Sequence, residues 1–372
     1  MSSNTAAWLT SKGAPLEVKP APYPHPGENE IVVRNHAVAV NPFDWIIQVS
    51  WGLATNWIRY PFIIGSDLAG EVVEVGTGVT RFTVGERVLA HAVGTDKKRN
   101  SAAEGAFQEY TVVMDNMAAP IPDNLSYENA AVLPLALSTA ACGLFQKDQL
   151  ALRYPCAAPT PTGETLLIWG GSTSVGSNAI QLAVAAGYEV ITTASPRNFD
   201  YVNKLGASQV FDYNSTTVVD DLAQALHGKT IAGALAIGTG SAAACSDIVH
   251  AATGTKFVSI ASPPVSFDKL TPGRGISLQI PLLVLRLVSS TVWMQLKARA
   301  RGIRSKMIFG SSLLDNEVST VIYEDFLPQA LADGRYAAVP EPFVIGTGLD
   351  QIQAGLDAQK RGVSAQKIVI TV

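Results

Sequence analysis

Hydrophobic and polar positions follow two different rhythms along this chain. Up to Val132, short β-like runs recur at Ile31–Val40, Leu68–Val75, Arg87–His91 and Phe107–Val113, with Gly, Pro and Asp between them. That texture predicts an antiparallel β-rich domain or partial barrel. From Leu133 onward, apolar strands alternate with helical periodicity. The strands are Leu166–Trp169, Val190–Thr193, Gln209–Phe211, Gly233–Ile237, Phe257–Ile260 and Lys306–Phe309. The helices are Val175–Ala186, Asn198–Leu205, Val218–Leu226 and Ala242–Ala252. Alternation of this kind predicts an α/β, doubly wound parallel sheet. In the tail, Leu349, Ile352 and Leu356 share one helical face, and a strand over Lys367–Val372 follows. A strand placed after a completed parallel sheet is expected to return to the first domain. Ala151–Gly163, rich in Pro and Ala, reads as a surface loop.

One apolar segment stands apart. Ile276–Leu296 precedes Lys297, Arg299, Arg301, Arg304 and Lys306, which superficially fits a membrane span. Arg286, Pro281, Gln279 and Gln295 interrupt it, and it lies between strands of one sheet. The expectation is chiefly a buried helix or subunit contact. A lipid-like substrate or membrane surface comes second, and a span last.

The stretch Thr165–Ser177 carries the first chemistry. The strand Thr165–Trp169 runs into Gly170, Gly171, Ser172, Thr173 and Ser174, and a helix starts at Val175. Strand, small-residue turn and helix form an anion cradle, because backbone N–H groups at the helix start point at a phosphate. Ser174 stands where the central glycine of G-x-G-x-x-G would be, so the fingerprint is incomplete. The end of the second strand indicates which nucleotide is held. An NAD site places Asp or Glu there for the ribose hydroxyls. This chain has Ser195-Pro196-Arg197-Asn198, with no carboxylate before Asp200, and Tyr213 follows the third strand. Hydroxyl, guanidinium and amide groups suit a 2′-phosphate, which favours NADPH over NADH.

Composition narrows the class. A chain of 372 residues is long for one core, so two domains are expected. Hydrophobic residues make up 47% and charged residues 16%, which argues against disorder. A net charge of −4 offers no basic surface for nucleic acid. The N-terminal residues lack the apolar core of a secretory signal. The three cysteines, Cys142, Cys156 and Cys245, are scattered, which suits free thiols in a reducing, cytoplasmic setting.

Several blocks resemble the medium-chain dehydrogenase/reductase family. Asn41-Pro42-Phe43-Asp44 resembles the N-P-x-D turn of its quinone-reductase branch. Gly65-Ser66-Asp67-Leu68-Ala69-Gly70 through Gly76 resembles the G-x-D-x-A-G-x-V-x-x-V-G signature of its GroES-like domain. Gly85-Glu86-Arg87-Val88 and Gly105-Ala106-Phe107-Gln108-Glu109-Tyr110 match two further blocks. Within the family the chain is most similar to fungal trans-acting enoyl reductases of the lovastatin enoyl reductase type. Four blocks carry that similarity: Leu133-Pro134 with Ser138-Thr139-Ala140, Gly170–Thr173, Ser195–Asp200, and Val210–Tyr213. The resemblance implies a GroES-like catalytic domain over 1–135 and 310–372, and a Rossmann NADP-binding domain over 136–309. It implies that Ser172, Thr173, Ser174 and Val175 hold the pyrophosphate. Ser195, Pro196, Arg197, Asn198 and Tyr213 would surround the ribose phosphate. Ile260, Ala261, Ala365, Gln366 and Asp44 would meet other parts of the cofactor, and Thr139 and Ala140 would border substrate. Many relatives carry lysine two places after the Asp of N-P-x-D; here Ile46 stands there.

Zinc dehydrogenases need an early Cys and a Gly-His-Glu motif. No Cys precedes Cys142, and the motif position reads Gly65-Ser66-Asp67. The five histidines, His25, His36, His91, His227 and His250, have no ligand spacing, so no metal is expected. Without a Lewis acid, polarising an alcohol or ketone is harder than adding hydride to an activated double bond. The expected activity is NADPH-dependent reduction of an enoyl thioester, enone or quinone, as in a stand-alone enoyl reductase of fungal secondary metabolism. The substrate would be small or carrier-bound and apolar, and a carrier-bound one implies a polyketide synthase partner. A non-catalytic NADPH-binding accessory protein and an alcohol dehydrogenase are the alternatives. Thr139, Asp44 and Tyr60 are candidate proton donors, with none assigned. Monomer and homodimer both stay open.

Overall fold

The computed structural model describes residues 3–270 and 279–372. The chain forms two compact units: Met1–Leu135 with Phe267–Ser277 and Leu313–Val372, and Ala136–Ser266 with Leu278–Ser312.

The first unit is β-rich. Its larger sheet runs Glu341–Thr347, Gln366–Thr371, Glu30–Ala39, Asp67–Val75, Arg87–His91, Ala118–Pro120, with Tyr110–Met114 also paired to Glu30–Ala39. The tail strand Gln366–Thr371 lies antiparallel to Glu30–Ala39, as the sequence predicts for a returning strand. A second sheet orders Leu16–Ala21, Asn4–Leu9 and Phe62–Ile63. The sequence reading has no strand at Leu16–Ala21. Lys19 and Pro20 disguise it, and Pro is tolerated because this is an edge strand. Glu341–Thr347 is likewise unanticipated; it is largely exposed and carries Pro342.

The sequence blocks of this unit have mutual packing as their cause. Gly65 has φ +98°, and a Cβ there would sit 2.4 Å from the Phe107 ring. Phe107 is wholly buried, so these two motifs form one contact. Arg87 donates to the carbonyls of Pro122, Asp123 and Leu125 at 3.1, 3.1 and 2.7 Å and stacks on Tyr127. A planar fork of donors is what that bundle of carbonyls requires. Gln108 is buried and donates to Gly105 O at 2.7 Å, while its carbonyl accepts from Asn4 at 3.0 Å.

The second unit is a parallel sheet ordered Gln209–Asp212, Glu189–Ala194, Glu164–Trp169, Thr230–Ala236, Phe257–Ile260, Arg304–Met307. Short Thr253–Gly254 pairs with Thr230–Ala236. In order of sequence this is third, second, first, fourth, fifth, sixth, the doubly wound arrangement. The first five predicted strands form, and the sixth, expected over Lys306–Phe309, lies two residues earlier at Arg304–Met307. The helices Ser174–Ala185, Phe199–Lys204, Val218–Ala225 and Ser241–Ala251 lie within two residues of expectation. Leu167, Ile191, Leu222, Ile231, Ala234, Ile248 and Val258 make a continuous core between sheet and helices.

The apolar segment is not the fully buried helix that one half of its leading expectation describes, while the subunit-contact half is untouched. Residues 276–278 lie outside the described residues. The remainder belongs to helix Gln279–Ala300, of which Ala298 and Met294 pack on the core. Its outward face is exposed, not buried: Leu285 is 65% and Trp293 70% accessible. The sequence is apolar all round, so periodicity could not show that only one side meets the sheet. The one described helical stretch apolar and long enough to cross a membrane is Tyr127–Phe145, whose best window is 78% buried.

Candidate functional site

In the parallel-sheet unit, the strand Glu164–Trp169 ends at Gly170, whose φ of +91° turns the chain sharply. Gly170 donates to Thr193 Oγ1 at 3.0 Å and Gly171 to Thr193 O at 2.9 Å, so the turn is tied to the neighbouring strand. Thr173 caps the next helix: its Oγ1 accepts from Gly176 N at 3.0 Å. A Cβ at Gly176 would lie 2.2 Å from Gly170 O, so helix and turn touch through backbone alone. The cap uses the third helical N–H. Those of Ser174 and Val175 remain without intrahelical acceptors. Ser174 and Val175 are half-buried and Thr173 is exposed. This cradle, closed by a glycine that admits no side chain, fits a dinucleotide pyrophosphate.

The second strand reaches Ser195 in register beside the turn, with Thr193 opposite Trp169. Asn198 is buried and its amide donates to Ser195 Oγ at 3.2 Å, so it fixes this corner. Arg197 is exposed and Tyr213 is 46% accessible, both available to an anion. Two carboxylates lie near this strand end. Asp200 opens helix Phe199–Lys204, and Asp212 accepts from Asn214 N and Nδ2 at 2.9 and 3.0 Å. Ile260 and Ala261 end the fifth strand, and Ala261 N donates to Ala236 O at 2.9 Å. The structure therefore gathers Ser172–Val175, Ser195–Asn198, Tyr213, Ile260 and Ala261 at the carboxyl ends of adjacent strands. Sequence reading missed Gly238 and Gly240, both at positive φ, in the turn after the fourth strand. Gly238 N donates to Ser262 Oγ at 2.8 Å. The signal was present as Gly238-Thr239-Gly240 at a strand end, beside the point where strand order reverses. Thr139 is half-buried on helix Pro134–Phe145, whereas Ala140 is wholly buried.

The remaining predicted residues lie in the β-rich unit. Ala365 has φ +50°, uncommon for a residue with a side chain, and Gln366 is exposed beside it. Asp44 is wholly buried at the third position of helix Pro42–Val49 and accepts from Asn41 N at 2.7 Å. It belongs to an ionic cluster that sequence reading did not anticipate. Lys367 donates to Asp67 Oδ2 at 2.8 Å and to Asn41 Oδ1 at 2.5 Å. Asn41 Nδ2 donates to Asp67 Oδ2 at 2.8 Å, and Leu135 N to Asp67 Oδ1 at 2.6 Å. His91 faces Asp67 across the strand pair and is buried. The only hint in sequence is a single lysine inside the apolar run Lys367-Ile368-Val369-Ile370.

Asp67 stands in the Gly-His-Glu position of zinc dehydrogenases. Its donor set does not fit Zn²⁺. A lysine ammonium supplies the counter-charge, an amide and a backbone N–H take the remaining lone pairs, and no thiolate is present. Among the described residues no three His, Cys, Asp or Glu groups could hold a metal ion.

Burial raises the Asp44 carboxyl from 3.8 to about 7, with the Asp67 charge adding to the shift against the Asn41 hydrogen bonds. Its Oδ1 is buried with no hydrogen-bond partner, as suits a neutral carboxyl. A protonated Asp44 leaves Asp67 and Lys367 balanced. Burial also lowers His91 from 6.5 to about 4, against the opposing pull of Asp67. These two groups act oppositely on stability. Asp44 binds its proton more tightly when folded, so its contribution is lost as pH rises from about 4 to about 7. His91 binds its proton more weakly when folded, so stability is lost as pH falls from 6.5 to about 4. In the native protein the slopes oppose each other. Asp44→Asn is therefore expected to expose the acid-side loss, and His91→Gln the loss toward neutral pH. Urea midpoints from pH 4 to pH 7.5 check this; parallel profiles for all three proteins would refute it.

Comparison with known proteins agrees with this architecture. Residues 27–123 match the family described as alcohol dehydrogenase GroES-like domain, and residues 174–282 the family described as zinc-binding dehydrogenase. The chain is 53% identical to dehydrogenase pigH of Monascus ruber, covering 100% of both chains. It is 38% identical to trans-enoyl reductase himH of Aspergillus japonicus, over 99% of this chain and 97% of that one. Its fold resembles the solved structure of mycobacterial Rv1454c complexed with NADPH, with TM-score 0.67, 20% identity and 100% coverage of both chains. A GroES-like β-rich unit, a Rossmann sheet with its phosphate turn and full-length relatives together establish that this chain belongs to the medium-chain dehydrogenase/reductase family of oxidoreductases.

Proposed function

We propose that this protein is an NADPH-dependent reductase of an activated C=C bond, acting as a stand-alone enoyl reductase. The observation that carries the nucleotide assignment is the end of the second Rossmann strand. Ser195 and Arg197 stand beside the phosphate turn, and the segment Ser195–Phe199 at this strand end carries no carboxylate. The name of himH supports the enoyl reading, and the bound NADPH of the mycobacterial structure is consistent with the cofactor.

In this reading the backbone N–H groups of Ser174 and Val175, with the Ser172 and Thr173 hydroxyls, bind the pyrophosphate. Arg197 pairs with the 2′-phosphate through its donor fork, assisted by Ser195 and Tyr213, while buried Asn198 holds Ser195 in place. Pro196 fixes the backbone that presents them. Ile260 and Ala261 offer an apolar strand end to the nicotinamide side. By family resemblance, Asp44, Ala365 and Gln366 complete the cofactor set. For Asp44 this means shaping the Asn41–Asp44 turn from below, because its carboxyl is buried. Thr139 and Ala140 border the substrate, Ala140 as packing beneath it. When bound, reduced nicotinamide supplies a hydride to the electron-poor β-carbon; the chain's task is to orient the alkene and exclude water. The apolar substrate is carried by a synthase or free in solution.

Purified, metal-free protein is expected to oxidise NADPH in the presence of an enoyl thioester, an enone or a quinone, and to be slower with NADH. Failure to bind NADPH, or binding without turnover across that panel, would contradict the proposal. The second result would favour a non-catalytic accessory protein.

A further inference from the structure

Helix Gln279–Ala300 presents an outward face that no packing among the described residues covers. Leu282, Leu285, Val288, Val292 and Leu296 follow one another at spacings of three and four residues, with Trp293 beside them. All are exposed, Leu296 at 56%. They form an apolar strip about 21 Å long at the rise of an α-helix. Ser289 is the polar residue within the strip, so it offers little hydrogen bonding. Such a contiguous patch on a folded protein marks an interaction surface.

Charge tells what that surface meets. The segment from Gln279 to Lys306 contains no Asp or Glu, and contains Arg286, Lys297, Arg299, Arg301, Arg304 and Lys306. Lys297 and Arg301 are held by Asp247, and Lys306 by Asp148. Arg304 stacks on Phe257. Arg286 and Arg299 are exposed and make no ion pair among the described residues. In a chain of net charge −4 this is a local cationic collar on a greasy strip. A second copy docked strip to strip would draw the two Arg286 side chains, three residues from the strip's midpoint, toward one another in either helix direction. Arg304 and Lys306 also lie on the outermost strand of the sheet, where basic side chains oppose edge pairing. Leucine and valine facing out, tryptophan at the margin and arginines at the border match a surface lying in the headgroup region of an anionic bilayer.

We propose that the outward face of helix Gln279–Ala300 docks this protein on anionic phospholipid membranes, with the strip dipping into the acyl boundary and Arg286 and Arg299 meeting headgroup phosphates. This inference is independent of the reductase assignment. The test is co-sedimentation of the full-length protein with phosphatidylcholine vesicles containing about 30% phosphatidylserine, against pure phosphatidylcholine. The protein should pellet with the anionic vesicles and be released by salt. Leu285→Gln/Val292→Gln/Leu296→Gln should lose about tenfold or more of the bound fraction. Arg299→Glu should weaken binding to anionic vesicles alone. All variants change solvent-facing residues, so far-UV circular dichroism and the urea midpoint should match wild type and report that the fold is intact. Wild-type protein that stays in the supernatant, or a triple variant that pellets equally well, overturns the proposal. So does a wild-type dimer in sedimentation velocity that the triple variant dissociates, which would assign the face to a second copy.

Discussion

Lys367→Met is expected to destabilise the protein by about 3–5 kcal/mol, because it leaves the Asp67 carboxylate buried and unpaired. Asp67 is wholly buried and Lys367 nearly so, so water cannot replace the lost ammonium. Lys367 is also the first buried residue of the tail strand, and it joins that strand to Asn41 and to the turn at Asp67. The loss should therefore fall on the cohesion of the β-rich unit. Asp67→Asn in the same chain should recover most of it by removing the orphaned charge. Urea denaturation of the single and double variants reads both effects. A Lys367→Met protein within about 1 kcal/mol of wild type would mean the cluster is solvated and the burial argument fails.

The second large effect concerns the nucleotide. Ser195→Asp with Arg197→Ser is expected to lower the preference for NADPH over NADH by about a hundredfold or more. A charge-assisted contact to a phosphate is worth about 1.5–3 kcal/mol, and the new carboxylate adds repulsion. Both positions lie outside the core, Ser195 half-buried and Arg197 exposed, so stability should change little. Affinities for the two nucleotides, measured by fluorescence titration, check it. If only NADPH weakens, Arg197 binds the phosphate but the strand end cannot accept from a ribose. If neither affinity changes, the ribose phosphate lies elsewhere.

Much of this architecture was legible before the structure. The inner parallel strands Glu164–Trp169, Glu189–Ala194, Thr230–Ala236 and Phe257–Ile260 showed as apolar runs because both faces of the sheet are covered there. The helix starting at Ser174 showed because a strand and a small-residue turn lead straight into its helical pattern, and Gly176 leaves no room for a Cβ against the turn. The GroES-like signatures were legible for a similar reason: Gly65 and Phe107 meet in space, so each constrains the other. The hairpin partner Leu16–Ala21 was not legible, because a mostly exposed edge strand carries no apolar alternation. The ionic cluster left only one trace, the lysine that opens the apolar run Lys367–Ile370. Asn41, Asp67 and Lys367 come from three separate strand ends, and nothing in their local sequence states that they meet. Whether the outward face of helix Gln279–Ala300 is covered by the core or left for a contact was not legible, because an apolar run looks the same in both cases.

The reaction itself is tested most directly by isotope transfer. The protein, with NADPH deuterated at the transferred position, is incubated with an α,β-unsaturated thioester under metal-chelating conditions. The product is then examined by mass spectrometry and NMR. The account predicts a saturated thioester carrying one deuterium at the β-carbon and none at the α-carbon. Deuterium on a carbonyl-derived carbon, or alkene recovered unchanged with bound NADPH intact, would contradict it.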